Sequence, residues 1–173
     1  MLRLLVFALS PILWATDVGA DRYSDCNQSA DPVRSIRGCT AIIDRGKRES
    51  QKNRVVAYWS RGNTYYLKRE LDEAIADYNE AIKLNPEFAL AYYGRGSAYK
   101  DIGECVRAIA VADKVIEINP QDPEAYANRG GAYVAKGDKE RAIADYRKAL
   151  QIDPSNQMAT VALKVLGATL KQD

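Results

Sequence analysis

The chain of 173 residues contains no histidine. That absence removes the commonest general base at neutral pH, the commonest metal ligand and every triad built on an imidazole. Cysteine is scarce, with three residues whose spacing does not suit a zinc site. Charge of one sign is lacking too: 25 basic and 23 acidic residues leave a net charge of +2. Neither the basic field of a nucleic-acid binder nor an acidic tail follows from such a balance. No segment reads as a β-strand, so a phosphate-cradling strand–loop–helix is excluded. The nearest paired carboxylates, Asp72, Glu73 and Asp77, are expected on outer helix faces as solvated charges. A serine nucleophile would find only lysine or carboxylate as its base. No catalytic constellation, cofactor or metal site is expected.

The first twenty residues, MLRLLVFALSPILWATDVGA, stand apart. One early cation, Arg3, precedes the apolar run Leu4 to Trp14, and small residues end at Val18, Gly19 and Ala20. This is the layout of a secretory signal with cleavage after Ala20. The apolar run is short for a bilayer span, although a retained anchor is the alternative. No cysteine follows it at once, which argues against a lipoprotein. The mature chain would begin at Asp21, carry no membrane span, and lie in a periplasm or outside the cell. Disulfides persist in such compartments.

What is present in quantity is repetition. RGNTYY at 61–66 returns as RGSAYK at 95–100 and RGGAYV at 129–134, each 34 residues after the last. Three ungapped blocks follow, 55–88, 89–122 and 123–156. In each, an aromatic (Tyr58, Tyr92, Tyr126) precedes Arg-Gly, then a tyrosine (Tyr65, Tyr99, Tyr133), an alanine (Ala74, Ala108, Ala142) and a closing proline (Pro86, Pro120, Pro154). The spacings predict two amphipathic helices per block, separated near Lys68–Glu70 and at Gly103 and Gly137. Asn85-Pro86 ends the second helix, because the residue before proline is pushed out of the α region. Gly62, Gly96 and Gly130 fall inside helices, where glycine costs about 1 kcal/mol against alanine. Close approach of a second helix explains them, with Ala74, Ala108 and Ala142 as the expected opposing surface.

These blocks resemble the tetratricopeptide repeat family, whose pattern W-x2-L-G-x2-Y…A-x3-F…P is met by Tyr58, Arg61, Gly62, Tyr65, Ala74, Tyr78 and Pro86. The second copy offers Tyr92, Arg95, Gly96, Tyr99, Ala108, Ala112 and Pro120. The third offers Tyr126, Arg129, Gly130, Tyr133, Ala142, Tyr146 and Pro154. Tyrosine replaces the first tryptophan, arginine replaces leucine, and Ala112 replaces the second aromatic in the middle copy. The resemblance implies an all-α, right-handed α-solenoid of helix-turn-helix repeats with a C-terminal capping helix. The segments are 1–20 signal, 21–54 degenerate hairpin and linker, 55–88, 89–122 and 123–156 repeats, and 157–173 cap.

Ser155–Lys171 is expected to cap the array, with Val161, Val165, Leu166 and Leu170 turned inward. VRSIRGCTAIIDRG at 33–46 aligns on the second-helix pattern at an offset of 39, placing Cys39 on Tyr78 and Cys26 on Tyr65. In the family those two tyrosines pack near one another, so the resemblance implies a Cys26–Cys39 disulfide in a degenerate hairpin. Two free buried cysteines are the alternative. Such a closure stabilises by roughly 3 kcal/mol in the chain-entropy model. Lys47–Asn53 reads as a polar linker, and Cys105 as a lone small apolar residue.

In this family the first helices line a concave groove. The resemblance therefore places Trp59, Asn63, Tyr66, Leu90, Tyr93, Ser97, Lys100 and Asn128 in a groove for a peptide or protein segment. Packing of some of them on the N-terminal hairpin is the competing reading. A chaperone-type carboxylate clamp is not expected, because Trp59, Gly94 and Glu124 stand where lysine, asparagine and lysine would be. Arg61 and Arg129 have Asp77 and Asp145 within reach on their second helices, whereas Arg95 faces Val111. Helix-tying pairs, or an anion ladder, are the two uses of this arginine series. The function implied is a non-catalytic interaction module in a bacterial cell envelope. An assembly factor docking by its convex face or by self-association is the alternative. Thiol counting on the mature protein is expected to give one free thiol before reduction and three after it; three before reduction would contradict the pairing.

Overall fold

The computed structural model describes residues 18–27 and 30–169. The expected leader up to residue 17 and the Leu170 position lie outside them. Among the described residues the chain forms nine α-helices and no strand. They are α1 (Val18–Asn27), α2 (Pro32–Ile43), α3 (Gln51–Leu67), α4 (Leu71–Leu84), α5 (Ala89–Asp101), α6 (Cys105–Ile118), α7 (Pro123–Lys136), α8 (Lys139–Ile152) and α9 (Gln157–Val165). Successive helices pair as hairpins, and each second helix packs on the first helix of the next hairpin. The first helices α1, α3, α5 and α7 also touch in series. The result is an α-solenoid.

Local chemistry sets the helix ends. Asp122 accepts from the Glu124 and Ala125 amides ahead of α7, with Pro123 in its first turn, and Asp138 accepts from the Arg141 amide ahead of α8. The turns inside the second and third repeats need a left-handed residue, supplied by Gly103 (φ 83°) and Gly137 (φ 84°). The first repeat places Arg69 there at φ 65°, the one non-glycine with positive φ among the described residues. Its Nη1 bonds Asp101 at 2.6 Å, tying the strained turn to α5.

The core shows why glycine recurs. Tyr78 is fully buried, and its ring passes between α3 and α5. A Cβ on Gly62 would lie 2.9 Å from the ring, and one on Gly94 would lie 2.4 Å from it. In the third repeat Tyr146 lies 3.0 Å from the equivalent Gly130 position. The partner of the helix glycine is thus the tyrosine ring of the second helix more than the alanine expected from the sequence, although the Ala74 carbonyl is also 3.3 Å from the Gly62 position. In the middle repeat the nearest neighbour of that position in Gly96 is Val111, at 3.5 Å.

Three further expectations are revised. Asp77 is buried rather than solvated, because Arg61 grips it. Residues 47–53, expected as a polar linker, are built into local structure: a 3-10 turn (Gly46–Arg48) leads to the Ser50 cap of α3. Glu49 fastens this turn, accepting from the Tyr23 hydroxyl (2.8 Å) and Asn53 Nδ2 (2.7 Å). Finally, α9 buries Ala159 and Leu163, leaving Val161 58% and Val165 80% exposed. Gly167, at φ 67°, follows the helix end, so α9 stops well short of residue 171.

The N-terminal hairpin of α1 and α2 stacks on α3. Cys26 and Cys39 are joined, with Cα atoms 4.5 Å apart. Backbones come so close that a Cβ on Gly38 would fall 2.6 Å from the Cys26 nitrogen. Gly94→Ala is expected to destabilise by about 1–3 kcal/mol through overpacking on Tyr78. Gly131→Ala, whose Cβ would meet only the Tyr146 hydroxyl at 3.6 Å, should be neutral or stabilise by up to about 1 kcal/mol from helix propensity. Chemical denaturation of both variants checks the ordering.

Candidate functional site

The second helices carry one inward-facing position per hairpin: Cys39, Tyr78, Ala112 and Tyr146. Only the alanine leaves space. Around it lies a crevice of about 10 Å³, enough for one water or a methyl-sized group. Tyr92, Tyr93, Ser97 and Lys100 from α5 and Asn128 from α7 form its walls, over a floor of Val111 and Ala112. Four of the groove residues expected from the sequence, Tyr93, Ser97, Lys100 and Asn128, therefore meet at one place. Lys100 and Asn128 bring polar groups to it, and Asn128 Nδ2 donates to the Glu124 carbonyl at 2.8 Å.

The other expected residues go elsewhere. Trp59 and Asn63 line a second pocket of about 220 Å³ shared with Cys26, Asn27 and Ser35 of the N-terminal hairpin. Trp59 also packs edge-on against Phe88, with centroids 6.0 Å apart. Asn63 Oδ1 accepts from the Tyr78 hydroxyl at 2.8 Å, so that amide serves the core. Tyr66 donates to Asp101 at 2.9 Å, bracing α3 against α5. Leu90 is 47% exposed.

Sequence reasoning missed the acids that organise this face. Tyr93 donates to Asp122 Oδ2 at 2.5 Å, and the other oxygen of Asp122 caps α7. Asn156 donates to Glu124 at 2.8 Å while capping α9. The signal for the first was the helix-start pair Asp122-Pro123, and for the second it was Asn156, which stands one 34-residue period after Asp122 and caps its helix likewise.

On the far side of the hairpins the arginines form a ladder. Arg61 Nε and Nη2 each donate to Asp77 at 2.8 Å, and Nη1 reaches Thr40 of α2 at 2.8 Å. Arg129 repeats this with Asp145 (2.8 Å twice) and Asp113 (2.6 Å). Arg95 keeps only the cross-repeat bond, to Asn79 at 2.7 Å. The aspartate hydrogen bonds, above all, raise the pKa of Arg61 and Arg129, whereas burial without an acid lowers that of Arg95.

Burial pushes the hydroxyls of Tyr66, Tyr78, Tyr93 and Tyr146 above the ordinary tyrosine value, aided at Tyr66 and Tyr93 by their aspartate partners. Among the described residues no cluster of cysteine, aspartate and glutamate could hold a metal ion, and no helix is long and apolar enough to cross a membrane.

Helix hairpins stacked at constant interval, first helices lining a hollow face, define an α-solenoid repeat protein. Profiles described as tetratricopeptide repeat match residues 89–122 and 123–156, and one described as TPR repeat matches 62–103. The TPR domain of Arabidopsis OM64 is 30% identical, covering 68% of this chain and 98% of that one at a TM-score of 0.63. The chain belongs to the tetratricopeptide repeat family. The first TPR of Spaghetti (RPAP3), solved bound to the HSP90 peptide SRMEEVD, is 27% identical over 65% of this chain and 90% of that one, at a TM-score of 0.60. MamA from Desulfovibrio magneticus RS-1, at 21% identity, shares the fold over 83% of this chain and 78% of that one, at a TM-score of 0.68. A search of curated proteins finds no match.

The four raised tyrosines hold their protons more tightly folded than unfolded. Stability is therefore unaffected below about pH 10 and falls as pH rises beyond it. Tyrosinate absorbance, followed with the helical circular dichroism signal, is expected to show these four of the eleven tyrosines ionising only as the helices melt. A single early titration of all of them would refute the burial argument.

Proposed function

We propose that this protein is a non-catalytic interaction module of a bacterial cell envelope whose groove holds an extended segment of a partner protein. The crevice over Ala112 receives a small side chain, and Lys100, Ser97 and Asn128 bind the segment's polar backbone or an acidic neighbour. The observation that carries this reading is the convergence of Tyr93, Ser97, Lys100 and Asn128 on the one inward position that no large side chain fills. Peptide binding by the Spaghetti TPR gives the family precedent. The ligand differs in kind from a clamped C-terminal carboxylate, since Gly94 must stay bare to admit the Tyr78 ring.

Export rests on the signal-like residues 1–20 and on the joining of Cys26 to Cys39. Self-association is the second reading, favoured by an apolar stripe of Met158, Val161 and Val165 on the outer face of α9.

A photo-crosslinking residue at Ser97 is expected to capture a partner from a cell-envelope extract. The same residue at exposed Ala144 on α8 should not, and Lys100→Glu or Tyr93→Ala should weaken capture at least about tenfold. Equal capture from both positions, or indifference to both substitutions, would overturn the groove reading. Capture of a second copy, lost with Val165→Lys, would establish the assembly role instead.

A further inference from the structure

The middle repeat departs from its neighbours at two adjacent positions, and the second opening shares only Val111 with the groove crevice. Val111 stands where Asp77 and Asp145 grip their arginines. The Nε of Arg95 is consequently buried with no hydrogen-bond partner among the described residues. Beside it lies an open pocket of about 230 Å³, lined by Arg95, Tyr99, Arg107, Ala110 and Val111. Arg107 lies over the Tyr99 ring at 5.7 Å, and its nearest acid is the exposed Glu104 at 3.9 Å. Two guanidiniums thus flank one cavity that contains no acid. An unused guanidinium edge in a partly apolar pocket favours a planar, two-oxygen acceptor. The neighbouring repeats show which one fits this edge: in both, a carboxylate takes Nε and Nη2 at 2.8 Å.

We propose that Arg95 and Arg107 form a carboxylate-binding site, in which an aspartate or glutamate side chain of a partner protein supplies from outside the acid that Val111 replaced. The site is independent of the groove reading. A partner could use either surface alone, or use both, with the middle hairpin gripped from two sides.

The site is tested with acetate, inorganic phosphate and chloride, each titrated into the whole protein at constant ionic strength. The arginine Nε–H signals are followed by NMR. Acetate is expected to shift the Arg95 signal saturably while those of Arg61 and Arg129, already occupied by aspartate, stay in place. Val111→Asp should abolish that response and raise the melting temperature, because it restores the internal pair. Arg107→Gln, at a side chain 64% exposed, should weaken the acetate response by about tenfold, the loss expected for one charge-assisted bond. Three results would overturn the proposal: no saturable Arg95 shift, an equal shift in all three arginines, or a response to phosphate but not to acetate. An acetate response that survives Val111→Asp would do so as well.

Discussion

A tyrosine ring fits between two helices only where the facing backbone carries no side chain, and this constraint organises the array. Tyr78 occupies the space between Gly62 of its own hairpin and Gly94 of the next, and its hydroxyl ends on Asn63. One residue thereby sets two spacings at once, within a hairpin and between hairpins. Burial of such a ring stabilises by about 1.5–3 kcal/mol, more than the roughly 1 kcal/mol that each helical glycine costs. The other hairpins meet the same geometric need differently. The third uses Tyr146 against Gly130, and the N-terminal one a disulfide at Cys39 with Gly38 beside it. The middle one leaves the position to Ala112, faced by Asn128 rather than glycine.

That gap is where stability and function part company. Arrays of repeats are stabilised by near-identical neighbour contacts, and a copy that breaks the pattern weakens them unless something else takes the place. Here both breaks fall in one hairpin. Ala112 opens the groove side beneath Tyr93, Ser97 and Lys100, and Val111 strips Arg95 of its acid on the other side. Local rules failing together at one place is the pattern expected of a binding site rather than of a scaffold. Other residues on that face are tied into the fold, Tyr66 to Asp101 and Asn63 to Tyr78, and Tyr93 beside the gap is itself held by Asp122. That face is therefore braced within the fold itself, and under the proposed groove reading this lowers the entropy lost on binding.

The 34-residue period made the hairpins legible, because Arg-Gly, tyrosine and proline recur in register and each has a local structural reason. The missing acid at Val111 was legible for the same reason. Less visible was anything requiring a third dimension. The glycine's partner lay sixteen residues on, as Tyr78 does from Gly62, and the sequence offered the nearer alanine as an equally good surface. The direction of α9 was misread because Val161 and Val165 are as apolar as Leu163, and periodicity over nine residues does not fix which stripe turns inward. Glu49 looked like part of a polar linker since its partner Tyr23 is remote in sequence. The crevice itself was visible only as a departure, Ala112, whose consequence depends on Asn128 in the next hairpin.

The coupling between those two positions tests the central claim most directly. A double-mutant cycle on Ala112→Tyr and Asn128→Gly, read by chemical denaturation, measures it. If ring and bare backbone are a matched pair, Ala112→Tyr alone destabilises through collision with Asn128, and adding Asn128→Gly recovers that loss, with a coupling of about 1–3 kcal/mol. Changes that simply add, to within about 0.5 kcal/mol, would show that the ring and the facing residue do not meet, and the account of both the array and its crevice would fail.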